Sequence, residues 1–493
     1  MLHHYLAIDL GAESGRVILG TLSPDKLALK EIHRFANGML HIQGKYYWNI
    51  GNIYQEIIKA LEFCIRQEKV QPEAIGIDTW GVDFGLLSKD GTLLGLPYAY
   101  RDGRTKNAIE EFTALIKKQE IYSITGTLFA SYNTLFQLYA AKKYHPELIE
   151  AAADLLFIPD LLAYFLTGNK KTEFSFATTS QLFNPITNEW DQKLFDLLKI
   201  PVQIMQEVVD AGAVIGLLDD EVCRATGINK IPVIAVATHD TNSAIVSIPA
   251  TGDNWAFISS GTWSLMGIES SVPDLTAKCY EMNLTNEGGV WHSYNILKNH
   301  MGLWLLQQCK KIWKDKNYSY VQLTEMAAEA SEFAGFIDVD DLCFLNPPDM
   351  CAAISRYFCK TNQWVSQTPG QITRIILESL AFKYRQTMEE LIDVSGKSID
   401  EIYVTGGGIH NQLLSQFTAN ATGRVVKTAL PEGAAAGNIM MQAVGMGYLH
   451  SLREIRTIIA NSWEVKLYRP IDRLKWDDSF GLYKDIVSSI REL

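Results

Sequence analysis

The chain has 493 residues, 47% of them hydrophobic and 20% charged, with 35 Gly and 15 Pro. This is a globular composition with room for two large domains or about three smaller ones, and it excludes disorder, collagen-like repeats and low complexity over most of the length. A net charge of -12, from 44 Lys plus Arg against 56 Asp plus Glu, disfavours a nucleic-acid backbone as partner, although backbone amides can still hold a small anion.

Tyr5 to Leu10 reads as a strand, Gly11 to Gly15 as a turn and Arg16 to Leu22 as a second strand, so the sequence opens on a hairpin rather than on a strand entering a helix. The stretch from Met1 to Gly11 has neither a basic head nor a small-residue cleavage site, and no apolar run reaches the ~18 residues of a membrane helix. A cytoplasmic protein with no membrane partner is the expectation. Tyr54 to Glu68 has helical periodicity, Ala74 to Trp80 is an apolar strand, and Phe84 to Ser88 is another, closed by the turn Lys89-Asp90-Gly91. Helical patterns dominate from Thr105 to Leu166, and Ile231 to Ala237 returns to a strand.

Ile248 to Asn254 mix Pro, Gly and polar types without a period, and beyond them the chain begins again. Ala256-Phe-Ile-Ser-Ser-Gly261-Thr-Trp-Ser-Leu-Met-Gly267 echoes Ala7-Ile-Asp-Leu-Gly11-Ala-Glu-Ser-Gly-Arg-Val17. An apolar strand turning through Gly into a second strand, twice at a domain's spacing, points to a duplicated α/β unit with one phosphate-facing hairpin per half. A pair of unrelated hairpins would give the same echo. Helices follow at Leu303 to Trp313 and Gln371 to Ile392, then a strand at Ile402 to Val404 and a helix from Asn411 to Thr422. A helical tail from Leu452 to Leu493 is expected to pack back on the body. The seven cysteines (Cys64, Cys223, Cys279, Cys309, Cys343, Cys351 and Cys359) are scattered without a C-x-x-C pair and read mostly as buried thiols. Cys351 and Cys359 on one helix would lie ~12 Å apart, beyond the ~7 Å limit for a disulfide.

Four segments carry chemistry. In Asp9-Leu-Gly-Ala-Glu-Ser-Gly-Arg16 small residues let turn amides approach a phosphate, Ser14 adds a donor and Arg16 can neutralise charge. Asp9, at the strand end, is placed to hold a hydrated Mg²⁺, or simply to cap the turn. Thr405-Gly406-Gly407-Gly408-Ile409-His410-Asn411 leaves a strand and opens a helix, offering bare backbone to a nucleobase or ribose. Its contiguous glycines do not match the dinucleotide fingerprint, and Leu391 stands where a P-loop ending in Gly396-Lys397-Ser398 needs its first glycine. Asp240, in Thr238-His239-Asp240-Thr241-Asn242-Ser243-Ala244, follows a strand, where a carboxylate faces the ligand crevice of an open α/β sheet. It can take the proton of an attacking hydroxyl while His239 hydrogen-bonds the ligand; a helix N-cap for Ser243 to Val246 is the alternative. Gly76-Ile-Asp-Thr-Trp-Gly-Val-Asp-Phe84 sets Trp80 and Phe84 beside carboxylates and Gly81, a mixture that suits a polyol, though core packing uses the same aromatics. Arg101-Asp102-Gly103-Arg104 is either a pocket rim or a solvated salt-bridge loop. His292 and His300 lack a metal-ligand partner at close spacing.

In order, Asp9 to Val17, Gly76 to Phe84, Tyr100-Arg-Asp-Gly-Arg-Thr105, His239-Asp-Thr241, Ser260 to Gly267, Leu297-Lys-Asn-His-Met-Gly-Leu-Trp-Leu-Leu-Gln307 and Gly406-Gly-Gly408 resemble the motifs of the FGGY carbohydrate kinases, of the actin-like ATPase superfamily. The resemblance runs from about Leu6 to Gly447. It implies an α/β protein of two duplicated actin-like (ribonuclease H-like) domains with a ligand cleft that closes between them. A sugar-binding domain over 1–248 and an ATP-binding domain over 249–493 are implied, with ATP and Mg²⁺ as cofactors and a monomer or homodimer as assembly. Carried over by position, Ala12, Glu13, Ser14, Gly15, Arg16, Thr262, Gln307 and Gly408 contact ATP. Gly81, His239, Asp240, Thr241 and Asn299 contact the sugar, Asp240 is the general base, and Asp9 holds Mg²⁺ through water. The match is nearest to members acting on L-rhamnulose at its C1 hydroxyl, with L-fuculose and other ketoses as rivals. Two departures stand out. Leu135-Phe-Gln-Leu138 occupies the place of a common Lys-x-x-Trp, and Glu13 puts a carboxylate in the phosphate turn, where it repels ATP unless it points outward or toward Mg²⁺. A non-catalytic ATP-driven switch is the competing class, and the polyol features at Trp80-Gly81 and His239-Asp240 argue against it.

Overall fold

In the computed structural model, which describes residues 2–364 and 366–491, the chain forms two compact units. One comprises Met1–Pro249, Glu269–Ile296 and Gly433–Ser462, the other Ala250–Ile268, Leu297–Glu432 and Trp463–Leu493. Both units therefore draw on both halves of the sequence.

The first unit is built on a six-stranded sheet in the order Val214–Leu217, Pro232–Ile234, Ala74–Thr79, His3–Leu10, Ser14–Leu22, Leu27–Ala36. The opening hairpin is antiparallel, with Asp9 opposite Arg16, while Ala74–Thr79 and Pro232–Ile234 run parallel to the first strand and to each other. Parallel strands are covered on both faces, which is why these segments read as unbroken apolar runs rather than alternating ones. Tyr5, Leu6, Ala7, Ile8 and Leu10 are all buried. Ile53 and Ile57 of the helix Ile50–Phe63 and Leu161 and Leu162 of Ile158–Thr167 join that core. The helix Gly433–Gly445 comes from far along the chain to dock here. Its Asn438 Nδ2 donates to Asp78 Oδ2 at 2.6 Å and its Gln442 Nε2 to the Leu6 carbonyl at 2.9 Å. Gly437 lets it meet the helix Asp240–Val246 at backbone distance, since a Cβ there would lie 1.8 Å from the Ser243 carbonyl oxygen.

The helical stretch expected from Thr105 to Leu166 is in fact broken. Gly126, at φ 62°, ends the helix Lys118–Thr125, Pro146 opens a new one, and Asp154–Phe157 is a strand paired antiparallel with Phe84–Leu87. A four-residue strand flanked by helices is too short for its period to show.

In the second unit the strands Ser264–Ser270, Trp255–Ser260, Glu401–Thr405, Val425–Thr428 and Lys466–Tyr468 are neighbours in that order. The hairpin is again antiparallel and the next two strands parallel, so the arrangement of the first unit recurs. The long helix Pro369–Ser395 begins with Thr368 capping Gln371 N and ends on Gly396 in the left-handed conformation, as such sequences dictate. Gly396-Lys397-Ser398 is thus a helix stop. The tail is two helices, Leu452–Ser462 and Arg473–Arg491, separated by the strand Lys466–Tyr468. Trp476, Phe480 and Tyr483 pack on Phe382, and Glu492 and Leu493 lie outside the described residues.

All seven cysteines are free; only Cys64, Cys279 and Cys309 are buried, Cys223 and Cys351 are half-buried, and Cys343 and Cys359 are exposed, so buried thiols are the minority and not the expected majority. Among the described residues no helix is long and apolar enough to cross a membrane, and no cluster of three or more His, Cys, Asp or Glu could hold a metal ion.

Candidate active site

In the first unit, carboxylates gather at the strand ends. Asp9 and Asp78 are register partners on adjacent parallel strands. Thr79 N donates to the Thr238 carbonyl at 2.8 Å and Thr79 bridges to His239, which brings Asp240 to the same edge of the sheet. Asp9 accepts from Arg16 Nε at 3.0 Å and lies 2.9 Å from Arg16 Nη2, so the guanidinium expected to neutralise phosphate is paired within the protein. Asp78 is fully buried, and its Oδ1 has no hydrogen-bond partner. Burial first, then the neighbouring charges of Asp9 and Asp240, hold its carboxyl well above the usual range against the opposing bond from Asn438. The turn itself closes from Gly11 N to Ser14 O at 2.9 Å and is clamped from the next strand, where Asn37 Nδ2 donates to Gly11 O at 2.8 Å. Ala12, Ser14 and Arg16 are partly exposed on this turn, Gly15 is buried, and Glu13 sits on its exposed rim.

Asp240 is the first residue of its helix and His239 is the cap residue, so the carboxylate is not committed to capping. Its side chain is 33% exposed. Burial raises its pKa, the His239 charge lowers it and Asp9 raises it, with a net rise; Thr241 Oγ1 is 3.3 Å from its Oδ1. His239 Nδ1 lies 2.8 Å from Glu287 Oε2 and its Nε2 3.7 Å from Asp240 Oδ1. Burial pushes this imidazole down, but the charge and hydrogen bond of Glu287, aided by Asp240 and Glu173, outweigh it and raise the pKa to about 9. Gly81 lies against the same ring, and a Cβ there would be 3.3 Å from Nε2.

Beside this edge stands a wall. The Trp48 and Trp80 rings are 4.1 Å apart between centroids, and both indole N–H groups donate to Asp83 Oδ2, at 2.6 and 3.0 Å. Gln137 Nε2 donates to Asp83 Oδ1 at 2.8 Å and Tyr100 N to Oδ2 at 3.1 Å. Burial nonetheless outweighs these donors and lifts Asp83 to about 6. Val82 is held at φ 68°, uncommon for a β-branched residue, with Thr134 Oγ1 fixing its carbonyl at 2.7 Å. Phe84 belongs to the apolar cluster with Phe112 and Phe136, so of the two aromatics that flank Gly81 in sequence only Trp80 belongs to this wall. Arg104 is no solvated loop residue. Its guanidinium stacks 3.9 Å over the Tyr98 ring and donates to Gln137 Oε1 at 2.9 Å. Gln137, Glu173 and Glu287 are the participants that motif reading missed; only Gln137 had a signal, lying in the stretch that departs from the family pattern.

In the second unit Gly261 N closes its turn on Trp263 O at 2.8 Å, and Leu303 N and Trp304 N donate to the carbonyls of Gly261 and Thr262 at 3.1 and 3.0 Å. These bonds fasten the turn to the segment that carries Asn299 and Gln307. Asn299 Oδ1 and Gln307 Oε1 are buried without hydrogen-bond partners, acceptors that a ligand can satisfy. Gly406 and Gly408 pack on Ser260: a Cβ would fall 2.8 Å from its carbonyl oxygen at Gly406 and 2.0 Å from its Oγ at Gly408. His300 is buried between Asp340 (2.7 Å) and Thr387 (2.9 Å); His292, in the first unit, pairs with Asp210 at 3.3 Å. The structure thus gathers Asp9, Ala12 to Arg16, Gly81 and His239 to Thr241 in the first unit, and Thr262, Asn299, Gln307 and Gly408 in the second.

Residues 4–247 match the N-terminal domain of the FGGY family of carbohydrate kinases, and residues 256–446 match its C-terminal domain. The chain belongs to the FGGY family. It is a sugar kinase that uses ATP. Among FGGY relatives, a rhamnulokinase of Bacteroides thetaiotaomicron is 44% identical over 99% of this chain and 100% of its own length. One of Ligilactobacillus salivarius is 40% identical over 99% of each. Among solved FGGY-like folds, a ligand-bound xylulose kinase from Lactobacillus acidophilus has a TM-score of 0.81 at 17% identity, over 98% of this chain and 97% of its own. Plasmodium falciparum glycerol kinase with ADP has a TM-score of 0.79 at 18% identity, over 98% of each chain.

Proposed function

We propose that this FGGY kinase transfers the γ-phosphoryl group of ATP to the C1 hydroxyl of L-rhamnulose, giving L-rhamnulose 1-phosphate and ADP. The observation that carries the reading is the 44% identity to a rhamnulokinase over essentially its whole length. The site supplies chemistry to match. In phosphoryl transfer the protein must orient the alcohol, remove its proton, steady the phosphate charge and keep water out. Asp240 takes the proton of O1. His239, Thr241 and Asn299 hydrogen-bond sugar hydroxyls, and Gly81 leaves the room for the sugar to approach. The turn residues Ala12 to Arg16 and Thr262 contact the phosphates, with Glu13 turned to the rim, while Gln307 and Gly408 receive the nucleoside. On this reading sugar belongs mainly to the sequence domain 1–248 and ATP mainly to 249–493, with Asn299 and the turn Ala12 to Arg16 each serving the other ligand, and the use of ATP makes the cytoplasm the place of reaction.

Mg²⁺ fits this donor set in one way only. With no cluster of metal-ligating side chains among the described residues and Asp9 already paired with Arg16, a hydrated ion held through water to Asp9 suits the site and an all-protein cage does not. When bound, the ion neutralises charge on the β- and γ-phosphates.

The test is a panel of L-rhamnulose, L-fuculose, D-xylulose and glycerol assayed for ATP-dependent ADP formation. Hydroxyls that fail to meet buried partners cost about 1–3 kcal/mol each, so L-rhamnulose should lead in kcat/KM and glycerol should trail far behind. A lead for L-fuculose or D-xylulose would overturn the sugar and leave the kinase; no sugar-dependent ADP formation would overturn both.

A further inference from the structure

Glu287 lies in the strand Thr285–Gly288, outside every motif that carries the family resemblance. It is 4% exposed, and its Oε2 meets two groups, His239 Nδ1 at 2.8 Å and Asn242 Nδ2 at 3.0 Å. Asn242, one helical turn past His239, is in turn fixed by the Asn295 amide. From behind, Glu173 Oε2 accepts from Thr238 N at 2.9 Å and from the Ser175 hydroxyl, which anchors the backbone that leads into His239. The imidazole therefore has one nitrogen committed to a buried carboxylate. The other looks toward Gly81 and Asp240.

A neutral ring with Nδ1–H on Glu287 would turn a bare Nε2 lone pair toward the Asp240 carboxylate, acceptor against acceptor. A charged ring instead places an N–H there, with Glu287 and Asp240 on either side. We infer that Glu287 is a positioning residue of the transfer: it keeps His239 charged, with Nε2–H presented to a sugar oxygen next to O1, and so keeps Asp240 ionised as the base. This inference rests on the proposed reaction. As the bond from O1 to the γ-phosphorus forms and the bond to the β-phosphate oxygen of ADP breaks, the proton of O1 passes to Asp240. The imidazolium gives up no proton; its charge favours the ionised base. The charged groups acting on His239 are Glu287, Asp240 and Glu173, and the titratable groups facing Asp240 are His239, Asp9 and the buried Asp78. Among them only His239 is a cation, so loss of its charge leaves Asp240 facing carboxylates alone.

The experiment compares the full-length protein with Glu287→Gln, which retains an acceptor for Nδ1–H but no charge, and with Glu287→Ala. Nitrogen-15 NMR of the histidine side chains, without sugar, reads the ring directly, with His239→Gln as assignment control. Wild-type His239 should hold both protons at pH 7.5 and titrate near pH 9; in Glu287→Gln it should be neutral at pH 7.5. With the best ketose of the panel, kcat of Glu287→Gln at pH 7.5 should fall roughly 10- to 100-fold, with KM for ATP unchanged. The alkaline limb of its pH–rate profile should also move down by at least one pH unit. A ring still charged in Glu287→Gln, or a wild-type pH–rate profile in that variant, would overturn the inference. Should L-rhamnulose prove not to be the substrate, the histidine spectra still decide the role of Glu287. If Glu287→Ala fails to fold, Glu287→Gln alone carries the comparison.

Discussion

In both units a strand ends at a glycine whose N–H closes the turn, and a parallel neighbour runs in register beside it. What fills the equivalent places differs. At the strand ends of the first unit the in-register pair is Asp9 with Asp78; in the second it is Ser259 with Thr405. Past the neighbouring strand the first unit continues as Trp80-Gly81-Val82-Asp83, walled by indoles around a buried carboxylate, and the second as Gly406-Gly407-Gly408, nearly bare backbone. One frame thus carries two chemistries. Charge and shaped side chains suit proton removal and the sorting of hydroxyls, and neutral hydroxyls with open backbone suit a nucleotide that needs donors and a flat floor.

If the charged half performs the chemistry, the largest effect belongs to its base. Asp240→Asn keeps the shape and removes the proton acceptor, so kcat should fall roughly 10²- to 10⁴-fold, the usual span for loss of a general base. ATP affinity by titration calorimetry should stay within about twofold, because the charge change is confined to the sugar-facing side of the reaction. A folded variant with near-normal turnover would move the base elsewhere and erase the contrast.

The bare half should answer differently. At Gly408 a Cβ would press 2.0 Å from Ser260 Oγ and 3.0 Å from its carbonyl oxygen; the hydroxyl can rotate away, whereas the carbonyl is fixed in the strand. Gly408→Ala should therefore lift the loop off the turn and weaken ATP binding by about tenfold, equivalent to ~1.4 kcal/mol. Turnover at saturating ATP should remain close to wild type. A loss confined to kcat would mean that this loop does not receive the nucleotide.

What the sequence discloses about this arrangement follows from where the partners lie. The hairpins, Asp240 and the triple glycine are legible because each is a contiguous motif whose strand, turn and residue types sit together in the chain. Glu287 and Glu173 are not, because they reach His239 and its flanking backbone only through packing, and a glutamate among other polar residues, as in Thr285-Asn286-Glu287 and Lys171-Thr172-Glu173, does not stand out in the chain. The helix Gly433–Gly445 gives no hint that it will dock on a sheet built from the opening strands, since its face of Ala, Gly and Met has little contrast. Phe84 misleads for a related reason: a place three residues from Gly81 in sequence says nothing of which cluster buries the ring, and Phe84 packs with Phe112 and Phe136.

The smallest expected effect is on stability, and it too separates the two loops, since Gly406 to Gly408 offer nothing to titrate. Asp83 holds its proton up to about pH 6 when folded, burial prevailing over its four donors, whereas in the unfolded chain it loses that proton near pH 4. Between these values the unfolded state binds fewer protons than the folded one, so stability falls as pH rises from about 4 to 6 and then levels off. The contribution is on the order of 1–3 kcal/mol, a few degrees of melting temperature at most in a chain of this size. Asp83→Asn keeps an oxygen for the two indoles and removes the titration. The difference in melting temperature, wild type minus Asp83→Asn, should therefore decline across pH 4 to 6 and be flat above it. A difference curve that is level from pH 4 to 7 would mean that Asp83 ionises as freely inside the wall as outside it, and that Trp48, Trp80, Gln137 and Tyr100 hold a carboxylate rather than an acid.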